Sequence, residues 1–472
     1  MDKKKFRLGT YTAATTVAVI AIAVIFNMCI NALPSKIKAI DLNSNEIYSI
    51  GEQTRTVVKT LEEDVHIYWL VQEGYEDVYI ENMLANYEDL SKNVVVEKID
   101  PVVYPTFAYQ YTSDGIYNNS LIVTNSDETK TRYLSYYDIY LYSYDENYNE
   151  ITEYNGEGVL TSAIKIVTSD IQTKLYYVTG HGEKDIPSEL QKKISLENME
   201  VESVNLLKEG AVPADCEALI VYSPLSDFSA QDIEILSEYL ENGGKMLLFT
   251  DCTEDELTNL YGLMSGYGVD GVNGVVMEQD SDFCLYNYAN YLLPGMYSHD
   301  ITTPLINSNY FVLMPMAHGI EINNDFDDES ITATTLLQTS EDAFVKKAGM
   351  NSTTAEKETG DVETEDGFAV AVAITDVQDT EEAKIVWMSS SYITDAQMDE
   401  LASGANTDFV INSLGWLCEI EDSVTIRAKS ISYDYLTMTA SQSNKLSVLI
   451  IFVIPAAFIA AGIYVWVRRR KM

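Results

Sequence analysis

The sequence predicts an α/β protein whose extracytoplasmic body has a small first domain over residues 31–150 and a doubly wound parallel-sheet domain over 151–430. One transmembrane helix flanks the body at each end, at 10–30 and 446–467, with cytoplasmic tails at 1–9 and 468–472. Three observations carry this reading. An uncharged apolar run lies near each terminus, and each has its basic residues on the outer side. Between them, β-branched and aromatic runs alternate with segments of helical period, the pattern of strands joined by crossover helices. The body is also too long for one ordinary core.

The first run, TYTAATTVAVIAIAVIFNMCI, follows Lys3, Lys4, Lys5 and Arg7, and the second, LSVLIIFVIPAAFIAAGIYVWV, precedes Arg468, Arg469, Arg470 and Lys471. Each has about the ~20 residues a helix needs to cross the hydrocarbon core. Basic flanks on short tails place both termini in the cytoplasm. The first run is read as an uncleaved signal anchor, because no A-x-A site follows it and Phe26-Asn27-Met28 lacks the small residues that precede a lipoprotein cysteine.

Within the first domain, VHIYWLV (65–71) has the density of a buried strand, 77–91 places Val78, Ile80, Met83, Leu84, Tyr87 and Leu90 close to helical spacing, and NVVVEKID (93–100) alternates until Pro101. Strand, helix, strand makes a βαβ unit. SLIVTN (120–125) and RYLSYYDIYLY (132–142) add strands, and the Tyr-rich stretch 132–148 is also a candidate contact surface. Any thioredoxin-like shape here is a scaffold without redox chemistry, since the five cysteines (29, 216, 252, 284 and 418) contain no CxxC.

The second domain starts with a helix over 156–170 and the strand KLYYVT (174–179), followed by a helix over 188–198 and the alternating MEVESVNL (199–206). ALIVYS (218–223) is a buried strand. Ser229 then caps a helix with Asp232 at the capping-box position, and Asn242-Gly243-Gly244 stops it before the strand KMLLFTD. Residues 262–345 read as Gly-rich turns and short alternating runs. The acidic segment 347–367 lacks an apolar period and is expected to be an exposed, partly disordered insertion. GFAVAVAIT and KIVWMSS resume the sheet, and Asn406 is expected to cap a last helix.

Charge narrows the function. Of 30 Lys and Arg, four lie in each tail, and of 73 Asp and Glu only Asp2 lies outside the body; residues 31–445 thus carry 22 against 72, a formal −50. Such a surface does not neutralise phosphates, which argues against nucleic acid as a partner, and it disfavours lying flat on anionic lipid. The four histidines are scattered singly and Asp325, Asp327, Asp328 and Glu329 lack EF-hand spacing, so neither metal nor cofactor is expected.

The sharpest local feature is Thr179-Gly180-His181-Gly182-Glu183, where a parallel strand ends and a helix is due. Ligands bind at that edge of open α/β sheets, so Gly180, His181, Gly182 and Glu183 are the candidate binding residues. The turn fails as a dinucleotide fingerprint because Asp185 holds the third glycine position, and no GxxxxGK[ST] occurs anywhere. A hydrolytic use would take His181, with Glu183 nearby, as general base, and Ser223, Ser389 or Cys252, at or just after strand ends, as nucleophile. No GxSxG elbow frames any of the three.

GEGVLTSAI followed by KLYYVTGHGEKD, YSPLSDFSAQDIEILSEYLENGGKMLLFTD, NTDFVINSLGWLCE and a final helix ending in VWVRRRKM together resemble the GldG-like auxiliary components of ABC transporters. The resemblance implies a thioredoxin-like first domain and a non-ATPase membrane subunit. It also implies a separate ATPase and a separate multi-span permease as partners, in an export or gliding-related system of a bacterial plasma membrane. A membrane-tethered envelope hydrolase and a structural envelope anchor stand as the alternatives.

Overall fold

The structure, a computed structural model, describes residues 47–431 except 114, 145–149, 170–171, 254–255, 324, 352–353, 379–380, 421–425 and 427, together with Pro455 and Val467. The two expected membrane spans, apart from those last two positions, and both tails lie outside the described residues. Among the described residues no helix is long and apolar enough to cross a membrane.

A helix, α1 (Glu52–Lys59), precedes the βαβ unit of β1 (Val65–Leu70), α2 (Val78–Leu90) and β2 (Val94–Ile99), and then come β3 (Ser120–Thr124) and β4 (Thr131–Leu134). The strand order is β2-β1-β3-β4, with β1 parallel to β2 and the other pairs antiparallel. Asp77 starts α2 by accepting from the N–H groups of Tyr79 and Ile80 at 2.9 and 3.1 Å, which points Ile80, Met83, Leu84 and Tyr87 inward. The run 132–142 is not one strand. Asp138 accepts from the Ser135 N–H at 2.9 Å in a capping box, so Tyr136–Ile139 makes a helical turn between β4 and β5 (Tyr140–Tyr144). β5 pairs with β6 (Glu150–Tyr154), and α3 (Gly156–Thr168) follows. Val159, Leu160, Ala163, Ile164 and Val167 of α3 enter the same core as Ile67, Trp69 and Leu121, so this helix closes the small domain's sheet.

The second domain contains β7 (Thr173–Val178), α4 (Ser188–Leu196), β8 (Met199–Val204), β9 (Ala218–Tyr222), α5 (Ala230–Glu241), β10 (Lys245–Phe249), α6 (Thr258–Ser265), β11 (Val269–Val272) and β12 (Val275–Met277). It continues through β13 (Gly319–Ile322), β14 (Ile331–Gln338), β15 (Phe344–Lys346), β16 (Ala369–Gln378), β17 (Glu381–Met388) and α7 (Ala405–Leu417). Its main sheet runs β8-β7-β9-β10-β17-β16-β13-β11, with β14 also on β16. The first five strands are parallel. From β16 onward every pairing is antiparallel, which corrects the expectation of a wholly parallel sheet. The cause is connection length. Only residues 379 and 380 separate β16 from β17, and a link that short makes a hairpin, whereas a parallel pair needs a crossover of a dozen residues or more.

Helices cover both faces of the parallel half. Alternate side chains of β9, β10 and β17 (Ile220, Leu247, Val386) meet α4 and α7 through Leu190, Ile194, Phe409 and Leu414. Their neighbours (Leu219, Leu248, Ile385) meet α5 and α6 through Leu236, Leu240 and Leu260. Asn406 does not cap α7. Gly404 holds the N-cap position, and the Asn406 side chain bonds the backbone of Leu313 and Ile393 at 2.8–3.0 Å. The acidic segment 347–367 is fastened, not free. Val362–Glu363 pairs with β15, and the wholly covered Lys346 side chain bonds the Glu356 carbonyl and reaches Glu358 at 2.9 Å and Asp361 at 3.4 Å.

The two ends of the described body meet at one buried carboxylate. Glu157, near the start of α3, accepts from the Gly51 N–H at 2.7 Å, the Thr54 hydroxyl at 2.8 Å and the Lys429 ammonium at 2.7 Å. Lys429 also donates to the Ser49 carbonyl at 2.7 Å, and Lys429–Ser430 pairs with β6. Residues 49–54 and 429–430 are thereby tied side by side.

Candidate functional site

The order β8-β7-β9-β10-β17 reverses direction between β7 and β9, and the crevice beyond the carboxyl ends of strands at such a switch point is where open α/β sheets hold ligands. Gly180, His181, Gly182 and Glu183 lie at that point, immediately after β7. Gly180 has φ +130°, and a Cβ there would come within 2.7 Å of Asn205 Nδ2; Gly182 has φ +73°. Both positions call for glycine.

The turn folds onto itself. Glu183 accepts from the backbone N–H groups of Gly180 and His181 at 2.9 and 2.8 Å, and its other oxygen meets His181 Nδ1 at 2.8 Å. His181 is 7% exposed; its Nε2 faces Asp232 of the α5 capping box at 3.3 Å, and its ring stacks on Phe228 with centroids 3.8 Å apart. Burial pushes the His181 pKa down, but the hydrogen bonds and charges of Glu183 and Asp232 outweigh it and hold it raised. Burial likewise pushes both carboxylates up, and the imidazolium with nearby N–H and O–H donors brings them below their ordinary range. A histidine with both nitrogens engaged and its charge stabilised serves as a lock between β7 and α5, not as a free base.

One residue further on, a second lock joins four strand ends. Asp251, after β10, accepts from Lys184 Nζ at 2.6 Å, Ser223 Oγ at 2.5 Å, and the Ser391 N–H and hydroxyl, each at 2.7 Å. Burial pushes the Asp251 pKa up, and the Lys184 charge together with the hydrogen bonds from Lys184, Ser223 and the Ser391 N–H outweighs it and holds it lowered. Lys184 sits over the Tyr392 ring at 4.5 Å and faces a cleft of about 340 Å³ walled by Leu225, Cys252, Met316 and Met350. The sequence reading missed Lys184, Asp251, Ser391 and Tyr392. Their signal is positional, since each follows a buried parallel strand within a few residues.

The three candidate nucleophiles fare alike. Ser223 and Ser389 are wholly buried, with hydroxyls given to Asp251 and to the Val370 carbonyl, and burial pushes the Cys252 thiol up, away from the reactive thiolate. His318 is elsewhere in the core, between the Thr250 hydroxyl at 2.7 Å and the Gly319 carbonyl at 2.8 Å, and burial pushes its pKa down to about 4.

The model of the family described as an ABC-type uncharacterized transport system, the ABC-transporter auxiliary family, matches residues 172–413, just over half the chain and all of this site. The chain belongs to that family. Residues 44–141, within the small domain, match a second family described as a domain of unknown function. No curated protein matches the auxiliary protein's sequence. Among solved structures, it is similar to the mmIFT52 N-terminal domain (15% identity, 52% of this chain and 96% of that one, TM-score 0.37). It is also similar to the NTD_N/C domain of alkylhydroperoxide reductase AhpF from Enterococcus faecalis (12% identity, 34% and 79%, TM-score 0.20). At those scores neither likeness carries an argument about the auxiliary protein. Its family places it with a transport system.

Proposed function

We propose that this protein is a non-ATPase auxiliary membrane subunit of an ABC-type transport system. Segments 10–30 and 446–467 hold it in a plasma membrane with both tails in the cytoplasm, and the body stands outside to meet a partner or substrate. Beyond family membership, the observation that carries this reading is the junction at Glu157, which ties residues 49–54 to Lys429. A body on two neighbouring spans needs its two ends to leave from one place, and here they do. An ATPase and a permease are separate chains in this reading, because the sequence has no P-loop and two helices cannot enclose a polar path unaided. The strand order β2-β1-β3-β4 supports a thioredoxin-like small domain, which without CxxC acts as a scaffold.

Purification of the full chain in mild detergent is the test. Reproducible recovery with an ATPase and a multi-span permease is the expected result; a chain that always purifies alone overturns the reading.

A further inference from the structure

We propose that the exposed aromatic face of the small domain is the surface on which the body docks against the extracytoplasmic loops of the transporter's multi-span subunit. The inference rests on the accessory-subunit reading above and names the surface that reading leaves open. It begins with the stretch PVVYPTFAYQYTS, residues 101–113, which contains no charge in a body of formal charge −50. Val102, Val103, Tyr104, Pro105 and Thr106 are exposed in succession, Val102 and Tyr104 at 67% and 60%, and Tyr109 follows at 64%. Exposed large side chains in an unbroken run mark a contact site, while single ones need no explanation.

The stretch is held in a definite shape. Asp100 accepts from the Val102 N–H at 2.8 Å, its carbonyl accepts from the Tyr104 N–H at 2.8 Å, and Phe107 and Tyr111 pack on Tyr68 with centroids 5.0 and 5.7 Å away. Fastened from below, the segment keeps its valines and tyrosines outward. It leaves the carboxyl end of β2 beside the Glu73 loop, where the Glu73 N–H reaches Asp100 at 3.4 Å, and residues 107–111 then lie on the sheet face of Tyr68 and Ile122 together with Ile116.

A second set of ring contacts runs from Tyr117, through the buried Tyr140 and Tyr154, to the place where the chain ends leave the body. Tyr117 meets Tyr137 at 5.1 Å, Tyr137 meets Tyr136 at 5.9 Å, and Tyr136 meets Tyr140 at 4.7 Å. Tyr140 meets Tyr154, the β6 residue opposite Lys429, at 5.4 Å, and Tyr154 leads through Tyr79 to Tyr48 at the start of the described chain. Tyr48, Tyr117 and Tyr137 are exposed. Exposed tyrosines thus stand beside both chain ends, tied to one another through the buried Tyr140 and Tyr154.

Chain length identifies the occupant. Residues 31–46 and 432–445 are all that separate this region from the two expected spans, and a tether of the shorter length reaches at most about 50 Å. The face is thus kept within that reach of the membrane and of whatever protein surrounds the spans. Lipid is the poorer fit, because the body's charge is repelled by anionic headgroups. A protein surface with an apolar centre and Lys or Arg at its edge fits both the tyrosines and the exposed carboxylate of Glu73. Tyrosine also offers large contact area at small conformational cost.

Photoreactive benzoylphenylalanine placed at Tyr104, Tyr109 or Tyr137 of the full chain, expressed with its transporter, tests this. A matched control at Leu401, exposed on the second domain, sets the background. The expected result is an adduct with the multi-span subunit, identified by mass spectrometry, from the three tyrosine positions and not from Leu401. Adducts with lipid only, with a second copy of this chain, or with nothing while the chain still co-purifies with ATPase and permease overturn the docking surface and leave the accessory reading standing. Failure to co-purify at all sinks the accessory reading and this inference with it. As a second measurement, Val103→Ser combined with Tyr104→Ser should lower recovery of the multi-span subunit about tenfold. Unchanged recovery counts against the proposal.

Discussion

The two domains carry the same topological feature, the carboxyl edge of parallel strands, and finish it in opposite ways. In the second domain that edge is closed by charge: His181 between Glu183 and Asp232, and Asp251 among Lys184, Ser223 and Ser391. In the small domain Asp77 and Asp100 only cap local backbone, and the chain leaving β2 carries Val102, Val103 and Tyr104 into solvent. A buried charged cluster is expensive to open and specifies one arrangement of its strand ends. An uncharged exposed face costs little to desolvate and suits association. The more conspicuous motif, the Gly-His-Gly-Glu turn, is tied down by its own carboxylates, and the proposed contact surface is an uncharged loop that no motif marks.

The strongest blow to the comparison would fall at Asp251. Asp251→Ala leaves Lys184, Ser223 and Ser391 without their acceptor in a buried site and should destabilise the body by about 3–5 kcal/mol, read from urea unfolding. His181→Ala should cost somewhat less, about 2–4 kcal/mol, because Glu183 and Asp232 lose their shared charge partner but keep their bonds from the backbone and from Ser229.

The histidines also predict a pH signature. Because the folded pKa of His181 is raised, its stabilisation is complete below the ordinary histidine value of about 6.5 and is lost as pH rises through the folded value. His318 has the opposite sign: its contribution is present above about 6.5 and is lost as pH falls toward about 4. Thermal melts across that range on the parent, His181→Ala and His318→Gln should show the alkaline slope flattened in the first variant and the acid slope flattened in the second.

Glu157→Gln removes the charge partner of Lys429 while keeping its size, and an effect of about 1–3 kcal/mol is expected, with faster proteolysis near residues 47–51. Lys346→Met should leave the melting temperature nearly unchanged yet open 347–367 to limited proteolysis, since that segment loses the ammonium it is gathered on. The smallest effect belongs to the open edge. Val103→Ser with Tyr104→Ser should move stability by less than about 0.5 kcal/mol. A loss comparable to that of Asp251→Ala would show that the small domain's edge is a packed one after all, and the contrast between domains would fall.

Much of the parallel framework was legible in the sequence. KLYYV, ALIVY and KMLLF are continuous apolar runs because their strands are covered on both faces, and the capping box of Ser229 and Asp232 announces α5. Other features were not. The Ser-Tyr-Tyr-Asp turn hides inside a run of strand-formers, and a capping box one turn long is overridden by β-propensity when read alone. Nor does the apolar face of α3 say which sheet it will cover. Nothing in the sequence marks Lys346, just before the acidic segment, yet its ammonium is what collects that segment.

By itself, then, the sequence determined where parallel strands run, where the glycine turn follows β7, and which stretch carries no charge, because each depends on neighbours within a few residues. Tertiary structure alone decided which edge was sealed and which left open. The acceptor Asp251 and its donor Ser391 are 140 residues apart, and Glu157 and Lys429 are 272 apart. Partnerships at that separation are set by the order of strands in the sheet, a property of the folded whole that no local pattern encodes.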